Sequence, residues 1–314
     1  MTEPQRSMAN NSAVYVDKPT ATEFMEEWLS LAISGAGERG IFNRGALTSQ
    51  LPERRLKQWA ESGYIENGMV VKVPGTNPCG EIVLKSKQFC NLTEVVARAG
   101  DTKDSLLRKS RLASILGTYQ STLTNFKYLS AEWKQNCEDE RLLGVSITGQ
   151  WDSKAVREPV MMALMREVAI KTNKDYAKRF GINQSTAVTC VKPSGTVSQL
   201  VDSSSGMHPR HAKYYIRRIR ISATDPLFNL MKDQGIPYHP EVGQTAENAH
   251  TFVLEFPVKA PAGSIFKDDL SALEQLEYWK LVKENFTEHN PSVTVSVGDE
   301  EWFSTGNWVY KHWE

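Results

Sequence analysis

Two patterns of apolar and polar residues recur along the chain, one typical of helices and one typical of strands. Helical spacing of three to four residues follows the capping patterns Thr20–Glu23 and Ser271–Glu274. Between such segments lie short runs rich in β-branched and aromatic residues, which indicate strands. The predicted strands are Gly144–Thr148, Thr186–Val191, Tyr214–Ile221, Thr251–Val258 and Val293–Val297. Alternating helices and strands predict an α/β fold with crossover connections.

Two longer segments keep one apolar face over several helical turns. The first contains Leu112, Ile115, Leu116, Tyr119, Leu123 and Phe126. The second follows Pro159. An apolar stripe at this spacing is typical of a helix that packs on a core. We therefore expect both stripes to be packing surfaces without chemistry of their own.

Composition excludes several classes of protein. The 314 residues carry 37 basic and 37 acidic side chains, which sum to a formal net charge of zero. A general nucleic-acid binder would carry a basic excess, so no nucleic-acid partner is expected. Hydrophobic residues make up 40% of the chain, which argues against disorder. No apolar run reaches the ~18 residues of a membrane helix and the N-terminus is polar, so we expect a cytoplasmic protein without a membrane partner.

Four cysteines are present, namely Cys79, Cys90, Cys137 and Cys190. None of them forms a C-x-x-C pair, so neither a zinc ribbon nor a thioredoxin-type motif is present, and no metal site is predicted. A reducing compartment keeps such residues as thiols. Cys137 and Cys190 have the character of small buried residues.

The segment Asn77–Glu81 places a cysteine on a turn that contains proline and glycine. In an extended loop, alternate residues project to one side, so Asn77, Cys79 and Glu81 could face one ligand as an amide, a sulfur and a general base. Cys90 follows eleven residues after Cys79. An ordinary turn with a buried cysteine is an equally good interpretation of this spacing.

A second candidate segment follows the predicted strand Thr186–Val191. It consists of Pro193, Ser194, Gly195, Thr196, Val197 and Ser198. Backbone N–H groups, hydroxyls and a helix start could together hold a phosphate. The alternative is a strand-to-helix turn in which Ser and Thr serve only as caps.

Three further patterns favour their structural interpretations. Gly35–Gly40 matches G-x-G-x-x-G, but a helix precedes it where a dinucleotide site needs a strand, so a loop is favoured. His208 and His211 lie three residues apart with Pro209 between them, which disfavours a metal site. Arg217, Arg218 and Arg220 lie on a predicted strand and are expected to face solvent.

Taken together, five segments resemble the large chain of ribonucleotide reductase, in particular the adenosylcobalamin-dependent type that acts on ribonucleoside triphosphates. The segments occur in the same order as in that family, across most of the chain. They are Asn77–Ile82, Phe89–Leu92, Gly144–Gly149, Lys192–Ser198 and Ser205–Pro209. The combination is much more specific than any one segment.

The resemblance implies part of a ten-stranded α/β barrel with the Cys79 segment as a central finger loop. It implies that Cys79 holds a thiyl radical which abstracts the ribose 3′-hydrogen, and that Glu81 takes the 3′-hydroxyl proton. Asn77 would hydrogen-bond the ribose hydroxyls, and Cys90 would be one half of a redox pair. The loop Pro193–Ser198 would hold the substrate phosphates.

The resemblance also implies adenosylcobalamin as cofactor, a ribonucleoside triphosphate as substrate and thioredoxin or a similar dithiol as reductant, in the synthesis of DNA precursors. Two departures qualify it: Cys79 is the first cysteine of the sequence, and no cysteine pair lies near Glu314. We therefore expect residues 1–314 to be one portion of the catalytic barrel, its C-terminal half, without the effector region and cysteine tail and inactive alone. The missing remainder of the reductase is then an expected partner.

Three alternatives remain open on the sequence. One is the large subunit of a reductase driven by a metal and tyrosyl radical in a second chain. Another is a cysteine hydrolase that uses Cys79 with a histidine base. The last is an inactive nucleotide-binding remnant.

Overall fold

The computed structural model describes residues 11–35, 37, 39–67 and 69–313. Its strands are β1 Asn11–Tyr15, β2 Arg39–Asn43, β3 Ile65–Glu66, β4 Met69–Val70, β5 Gly75–Thr76, β6 Val83–Leu84, β7 Asn91–Val96, β8 Leu143–Thr148, β9 Tyr214–Ser222, β10 Tyr238–Pro240 and β11 Thr251–Lys259. Its α-helices are α1 Ala21–Ser34, α2 Leu47–Gln50, α3 Glu53–Glu61, α4 Lys103–Gln120, α5 Ala131–Glu140, α6 Pro159–Phe180, α7 Thr196–Leu200, α8 Pro226–Asp233, α9 Ala272–Asn285 and α10 Trp302–Lys311.

The chain divides into two compact units. The larger unit runs to Pro209 and resumes at Asp268, and the smaller unit is Arg210–Lys267. In the smaller unit, β11 lies between β9 and β10 and pairs with both in antiparallel register. Helix α8 covers one face of this sheet, where Phe228 stacks on Phe252 with ring centroids 4.5 Å apart.

Two parallel pairs of strands organise the larger unit. One pair is β1 and β2, which α1 connects. The other is β7 and β8, in register from Asn91 opposite Leu143 to Val96 opposite Thr148. The segment around Thr189 runs parallel to β8 through a single bridge to Val145. The mixed α/β class is confirmed, and each sheet of the described residues holds two or three strands.

Helices α4, α6 and α9 cover one face of the β7–β8 pair. Val95, Val145 and Ile147 point into this layer, each at most 2% exposed, and meet Met165 of α6. Burial of such side chains is the main stabilising term of the unit. The opposite face of the same strands is left to polar side chains and carries the site described below.

The apolar stripe predicted to bury α4 faces solvent instead. Leu112, Leu116 and Tyr119 are 47%, 63% and 59% exposed. The buried face of α4 carries small residues, among them Ser110 and Ser114, whose hydroxyls donate to carbonyl oxygens of α6 at 2.9 and 2.7 Å. Small side chains let the two helices approach closely, so α4 packs against α6 through its face of small, polar residues and not through its apolar stripe.

The two capping patterns were predicted correctly, since Thr20 and Ser271 both form capping boxes with the glutamate three residues later. Gly35 ends α1 in the left-handed conformation. The predicted strand Val293–Val297 is wrong. The N–H groups of Thr294 and Ser296 donate to side chains, His208 Nε2 and Gln275 Oε1, and not to a neighbouring strand.

Among the described residues, no helix combines the length and the apolar character needed to cross a membrane.

Candidate active site

The loop between β5 and β6 is a short hairpin closed by Asn77. The Asn77 N–H donates to the Ile82 carbonyl at 3.1 Å, and Asn77 Oδ1 accepts from the Ile82 N–H at 3.0 Å. Gly80 adopts φ +79°, a left-handed conformation that L side chains rarely adopt. The loop is therefore fixed by its own backbone, and we call Asn77–Ile82 the finger loop.

A second segment of the chain holds the finger loop from outside. The Ser292 hydroxyl donates to the Cys79 carbonyl at 2.6 Å, and the Asn290 N–H donates to the Glu81 carbonyl at 3.0 Å. Asn290 Nδ2 donates to the Gly80 carbonyl at 3.3 Å. Since these bonds use backbone carbonyls of the loop, the Cys79 thiol stays available, and Cys79 is exposed.

Glu81 is fully buried, and its nearest counter-charge is Lys192. Lys192 Nζ lies 3.3 Å from Glu81 Oε1, whereas Glu81 Oε2 has no hydrogen-bond partner among the described residues. Partial burial lowers the pKa of Lys192, but the charge of Glu81, with a smaller contribution from Cys79, outweighs it and raises the pKa above its ordinary value. An ionised carboxylate with one free oxygen can accept a proton or a hydrogen bond from a ligand.

Cys90 lies directly before β7, on the polar face of the sheet. Burial raises the pKa of the Cys90 thiol, with a further contribution from the charge of Glu81. Burial likewise raises the pKa of Cys190, and Cys90 and Glu81 add to the effect. Both thiols are therefore neutral in the folded protein.

The strand register places Cys90 and Cys190 too far apart to form a disulfide. Cys90 aligns with Leu142, the residue before the β8 register begins, while Cys190 aligns with Ser146 through the bridge from Thr189. β8 lies between the two segments, and two strand spacings correspond to about 10 Å. A disulfide requires Cα atoms within about 7 Å. The register therefore does not place Cys190 as the redox partner of Cys90.

The second predicted segment forms a loop and the short helix α7. The Ser194 hydroxyl donates to Glu94 Oε2 at 2.8 Å and accepts from the Ser198 N–H at 3.2 Å, and Ser198 itself donates to the Ser194 carbonyl. Pro193 is half-buried, whereas Gly195, Thr196 and Val197 are exposed. The serine hydroxyls therefore hold the loop together, and its exposed middle is the part that a ligand can reach.

A cavity of 460 Å³ joins this loop to the sheet. It is lined by residues 194–197 together with Glu94, Ser146 and Lys192. Burial raises the pKa of Glu94, while Ser194 and Lys192 lower it in part. Neither Glu94 nor Lys192 was assigned a role from the sequence, and Glu94 lies in a strand that also carries Asn91 and Thr93, so no local pattern marks it.

A second cavity, of 510 Å³, opens beside Cys79. Its walls include Trp279, Trp313 and Lys283. Burial lowers the pKa of Lys283 to about 8. Its ammonium donates to the His289 carbonyl at 2.6 Å and to Asn290 Oδ1 at 3.1 Å. Lys283 thereby orients the asparagine that anchors the finger loop.

The remaining sequence candidates have structural partners. His208 donates from Nδ1 to the Ser205 carbonyl and accepts at Nε2, both at 2.9 Å. His211 belongs to the smaller unit. There Arg218 and Arg220 pair with glutamates on the sheet surface. Across the described residues, no cluster of three potential metal ligands is found.

Within the α/β scaffold, the site thus combines an exposed cysteine on a rigid loop, a buried carboxylate beside it, and the thiols of Cys90 and Cys190 on the adjoining segments. No family model matches the chain. The adenosylcobalamin-dependent ribonucleoside-triphosphate reductase of Levilactobacillus brevis is 29% identical over 328 aligned positions, which cover 93% of this chain and 41% of the relative. The reductase of the same name from Lactobacillus acidophilus is 32% identical, over 63% of this chain and 30% of its own length.

Solved structures show the same relationship in the fold. A B12-dependent, class II ribonucleotide reductase superposes with a TM-score of 0.65 and 21% identity, over 96% of this chain and 48% of the other. The α subunit of the class Id ribonucleotide reductase of Actinobacillus ureae gives a TM-score of 0.50 at 15% identity, over 83% of this chain and 56% of that one.

The resemblance to the ribonucleotide reductase large chain is thus confirmed: the chain is homologous to part of the adenosylcobalamin-dependent ribonucleoside-triphosphate reductases. It spans about two fifths of the length of the Levilactobacillus brevis relative and about half of the class II structure.

Proposed function

We propose that this chain forms the part of a ribonucleoside-triphosphate reductase that carries the radical cysteine and the substrate phosphate loop. The observation that supports it most directly is the finger loop: an exposed Cys79 and a buried, half-satisfied Glu81 held by independent anchors. The parallel strands β7 and β8 and the segment beside them would then be part of a ten-stranded barrel. The proposed compartment is the cytoplasm.

The reaction assigns one task to each side chain. A thiyl radical at Cys79 takes the hydrogen atom from C3′ of the ribose, and Glu81 Oε2 accepts the 3′-hydroxyl proton. The 2′-hydroxyl leaves as water with a proton from one thiol, and C2′ receives a hydrogen atom from the thiol pair. The two thiols, one of them Cys90, thereby become a disulfide and supply the two electrons. Glu81 then returns its proton to the 3′-oxygen, and Cys79 returns its hydrogen atom to C3′. A barrel interior would shield these steps from water.

Substrate positioning would fall to the two loops. The N–H groups of Gly195, Thr196 and Val197 lie at the exposed middle of the second loop and can donate to a triphosphate. Asn77 would contact the ribose hydroxyls from the finger loop. Lys192 lies between the two and offers a positive charge to both Glu81 and the cavity of the phosphate loop.

The proposed cofactor is adenosylcobalamin, which supplies radical chemistry that no unaided side chain can start. The 510 Å³ cavity beside Cys79 is within the size range of ligand pockets, so it fits the nucleoside end of such a group. Its aromatic walls, Trp279 and Trp313, suit a planar base. These residues would orient the group against the Cys79 thiol.

The register separates Cys190 from Cys90, and the family resemblance implies a redox partner on a strand upstream of the finger loop, so the proposed second redox thiol comes from polypeptide outside the described residues. We therefore propose that the 314-residue chain turns over only with the remainder of a reductase and with thioredoxin or a similar dithiol as reductant.

The experiment replaces the matched segment of the Levilactobacillus brevis reductase by this chain and measures deoxyribonucleoside triphosphate formation with adenosylcobalamin and a dithiol. We expect turnover that Cys79→Ser abolishes, while ribonucleoside triphosphate binding by calorimetry persists. Cys137→Ser, at a buried cysteine that lies outside the finger loop and keeps an acceptor for the Phe89 N–H, is the matched control and should keep turnover.

Other results would point to other functions. Turnover by the Cys79→Ser graft would contradict the assigned role of that residue. Cofactor-free trapping of Cys79 by an acylating substrate would indicate a hydrolase, since His312 lines the same cavity. Nucleotide binding without any turnover by the graft would indicate an inactive remnant. Activity that depends on an added radical subunit and not on cobalamin would indicate the metal-dependent reductase type.

A further inference from the structure

Glu94 is an acidic side chain in the wall of the cavity that would hold the substrate phosphates. It lies on β7 and shares this cavity of 460 Å³ with Lys192 and residues 194–197. A carboxylate beside a phosphate is unfavourable, because like charges repel and a partly enclosed site screens them less than bulk water does. An ionised Glu94 would therefore oppose the anion that Lys192 attracts.

The two carboxyl oxygens of Glu94 differ in their contacts. Oε2 accepts a hydrogen bond from the Ser194 hydroxyl at 2.8 Å. Oε1 is buried and has no hydrogen-bond partner among the described residues. An ionised carboxylate can only accept hydrogen bonds, whereas a protonated one carries an O–H donor. A proton on Oε1 would therefore let Glu94 donate to a phosphate oxygen in the cavity that it lines.

Lys192 faces Glu94 from the cavity side but is shared with Glu81. Burial raises the pKa of Glu94, and the Ser194 hydroxyl and the charge of Lys192 offset only part of this rise. The Lys192 ammonium lies 3.3 Å from Glu81 Oε1, so it already serves another carboxylate. The charge of Glu94 also acts on Cys190, whose thiol stays neutral because burial raises its pKa. Protonation of Glu94 is therefore less costly here than in water.

On the side of α4, two cations line a groove together with Glu94 but have partners of their own. They are Lys109 and Arg98. The Lys109 ammonium donates to Asp101 Oδ2 at 2.7 Å. The Arg98 guanidinium donates to two backbone carbonyls directly after α7. Since these cations are bound elsewhere, neutralisation of Glu94 beside an anion falls to a proton.

We propose that Glu94 takes up a proton from solvent when a polyphosphate binds in this cavity, and that the protonated Oε1 then donates to a phosphate oxygen. The cavity thereby binds an anion together with a proton, and the negative charge added to it is smaller by one unit. Ser194 keeps its acceptor, Oε2, in both states. The choice of a polyphosphate as ligand rests on the proposed function, whereas the proton linkage rests on the cavity and its charges.

The probe is inorganic tripolyphosphate, added to the 314-residue chain in calorimetric titrations. Buffers with different ionisation enthalpies give the number of protons taken up on binding. Glu94→Gln is the central variant, because its amide keeps an oxygen for the Ser194 hydroxyl and offers an N–H to the ligand without a proton from solvent. At about pH 7.5 we expect the original chain to take up more protons than Glu94→Gln does, by up to one per ligand. A role of Glu94 only as an anchor for Ser194 would give equal uptake.

The pH dependence of the affinity provides a second measurement. A linkage of one proton changes an affinity by at most about tenfold per pH unit. The dissociation constant of the original chain, divided by that of Glu94→Gln, should therefore rise by about tenfold between about pH 5 and pH 8. Glu132→Gln is the control, because Glu132 is half-exposed and pairs with Lys87, and it should bind tripolyphosphate as the original chain does.

Infrared difference spectra of the original chain test the proton directly. Binding should produce the carbonyl band of a protonated carboxyl, which Glu81→Gln keeps and Glu94→Gln lacks. The absence of this band in the original chain would overturn the proposal, and so would equal proton uptake with and without Glu94. A failure of tripolyphosphate to bind at any pH would overturn it as well. An inactive graft in the Levilactobacillus brevis reductase, with proton-linked binding intact, would reject the proposed function and leave the linkage standing.

Discussion

Lys192→Met tests whether the buried carboxylate of Glu81 depends on a single cation. The substitution keeps a long side chain and removes only the charge that lies 3.3 Å from Glu81 Oε1. Glu81 is fully buried, and its other oxygen has no hydrogen-bond partner among the described residues. The variant therefore leaves an uncompensated charge in the interior, and we expect the protein to be less stable.

The size of the expected destabilisation follows from the distance between the two charges and from the solvent exposure of Lys192. At 3.3 Å and an effective dielectric constant of ~20, the attraction between two unit charges is about 5 kcal/mol. Solvent screens part of it, because the Lys192 side chain is 36% exposed, and desolvation of Glu81 offsets more. We expect Lys192→Met to lower the free energy of unfolding by about 1–3 kcal/mol.

A double-mutant cycle with urea denaturation at pH 7.5 measures the pair. Glu81→Gln combined with Lys192→Met should recover most of the lost stability, because no buried charge remains. Lys87 and Glu132, a pair with both side chains about half exposed, provide the control cycle and should couple by less than ~1 kcal/mol. Coupling at 81–192 no larger than at 87–132 would refute the electrostatic reasoning.

Two further predictions concern stability. An alanine at Gly144 would place its Cβ 2.4 Å from Leu92 Cδ2 and 3.2 Å from Ile82 Cδ1 of the finger loop, so Gly144→Ala should lower the free energy of unfolding by about 1–3 kcal/mol in urea denaturation. The control Gly100→Ala has open space around it and should leave the stability unchanged. Equal costs for the two variants would contradict the packing argument. Burial lowers the pKa of His208 and of His289 below the value of about 6.5 in the unfolded chain. As the pH falls below about 6.5, the unfolded chain therefore protonates these histidines before the folded protein does, and the free energy of unfolding decreases. At pH 5.5 the loss is at most about 1.4 kcal/mol for each histidine, the value for a ring that stays neutral in the folded protein, and a urea midpoint that stays constant from pH 7.5 to 5.5 would contradict neutral burial.

Helix ends could be predicted from the sequence, but the packing face of α4 could not. The capping boxes at Thr20 and Ser271 depend on residues three apart, so the local sequence determines them. The buried face of α4 depends on which neighbour it meets. Ser110 and Ser114 are buried because α6 offers carbonyl oxygens to their hydroxyls, and a one-dimensional pattern treats such residues as solvent-facing.

The candidate site likewise combines features that the local sequence determines with features that depend on contacts between distant segments. The local sequence predicted a turn at Asn77–Glu81, because proline and glycine fix such a turn locally, but its spacing left a functional loop and an ordinary turn equally possible. Lys192, the counter-charge of Glu81, lies 111 residues further along the chain, and no sequence pattern links the two. Cys190 was expected to be a small buried residue, and it is buried. Its electrostatic proximity to Cys90 arises only from the pairing of strands.

One cation connects the finger loop to the phosphate loop. Lys192 lies against Glu81 and directly precedes Pro193, and it lines the cavity of the phosphate loop together with Glu94. A phosphate in that cavity would compete with Glu81 for the same ammonium and so free the carboxylate to accept a proton. In the proposed reductase, substrate binding would thereby activate the base, because both act on the charge of Lys192.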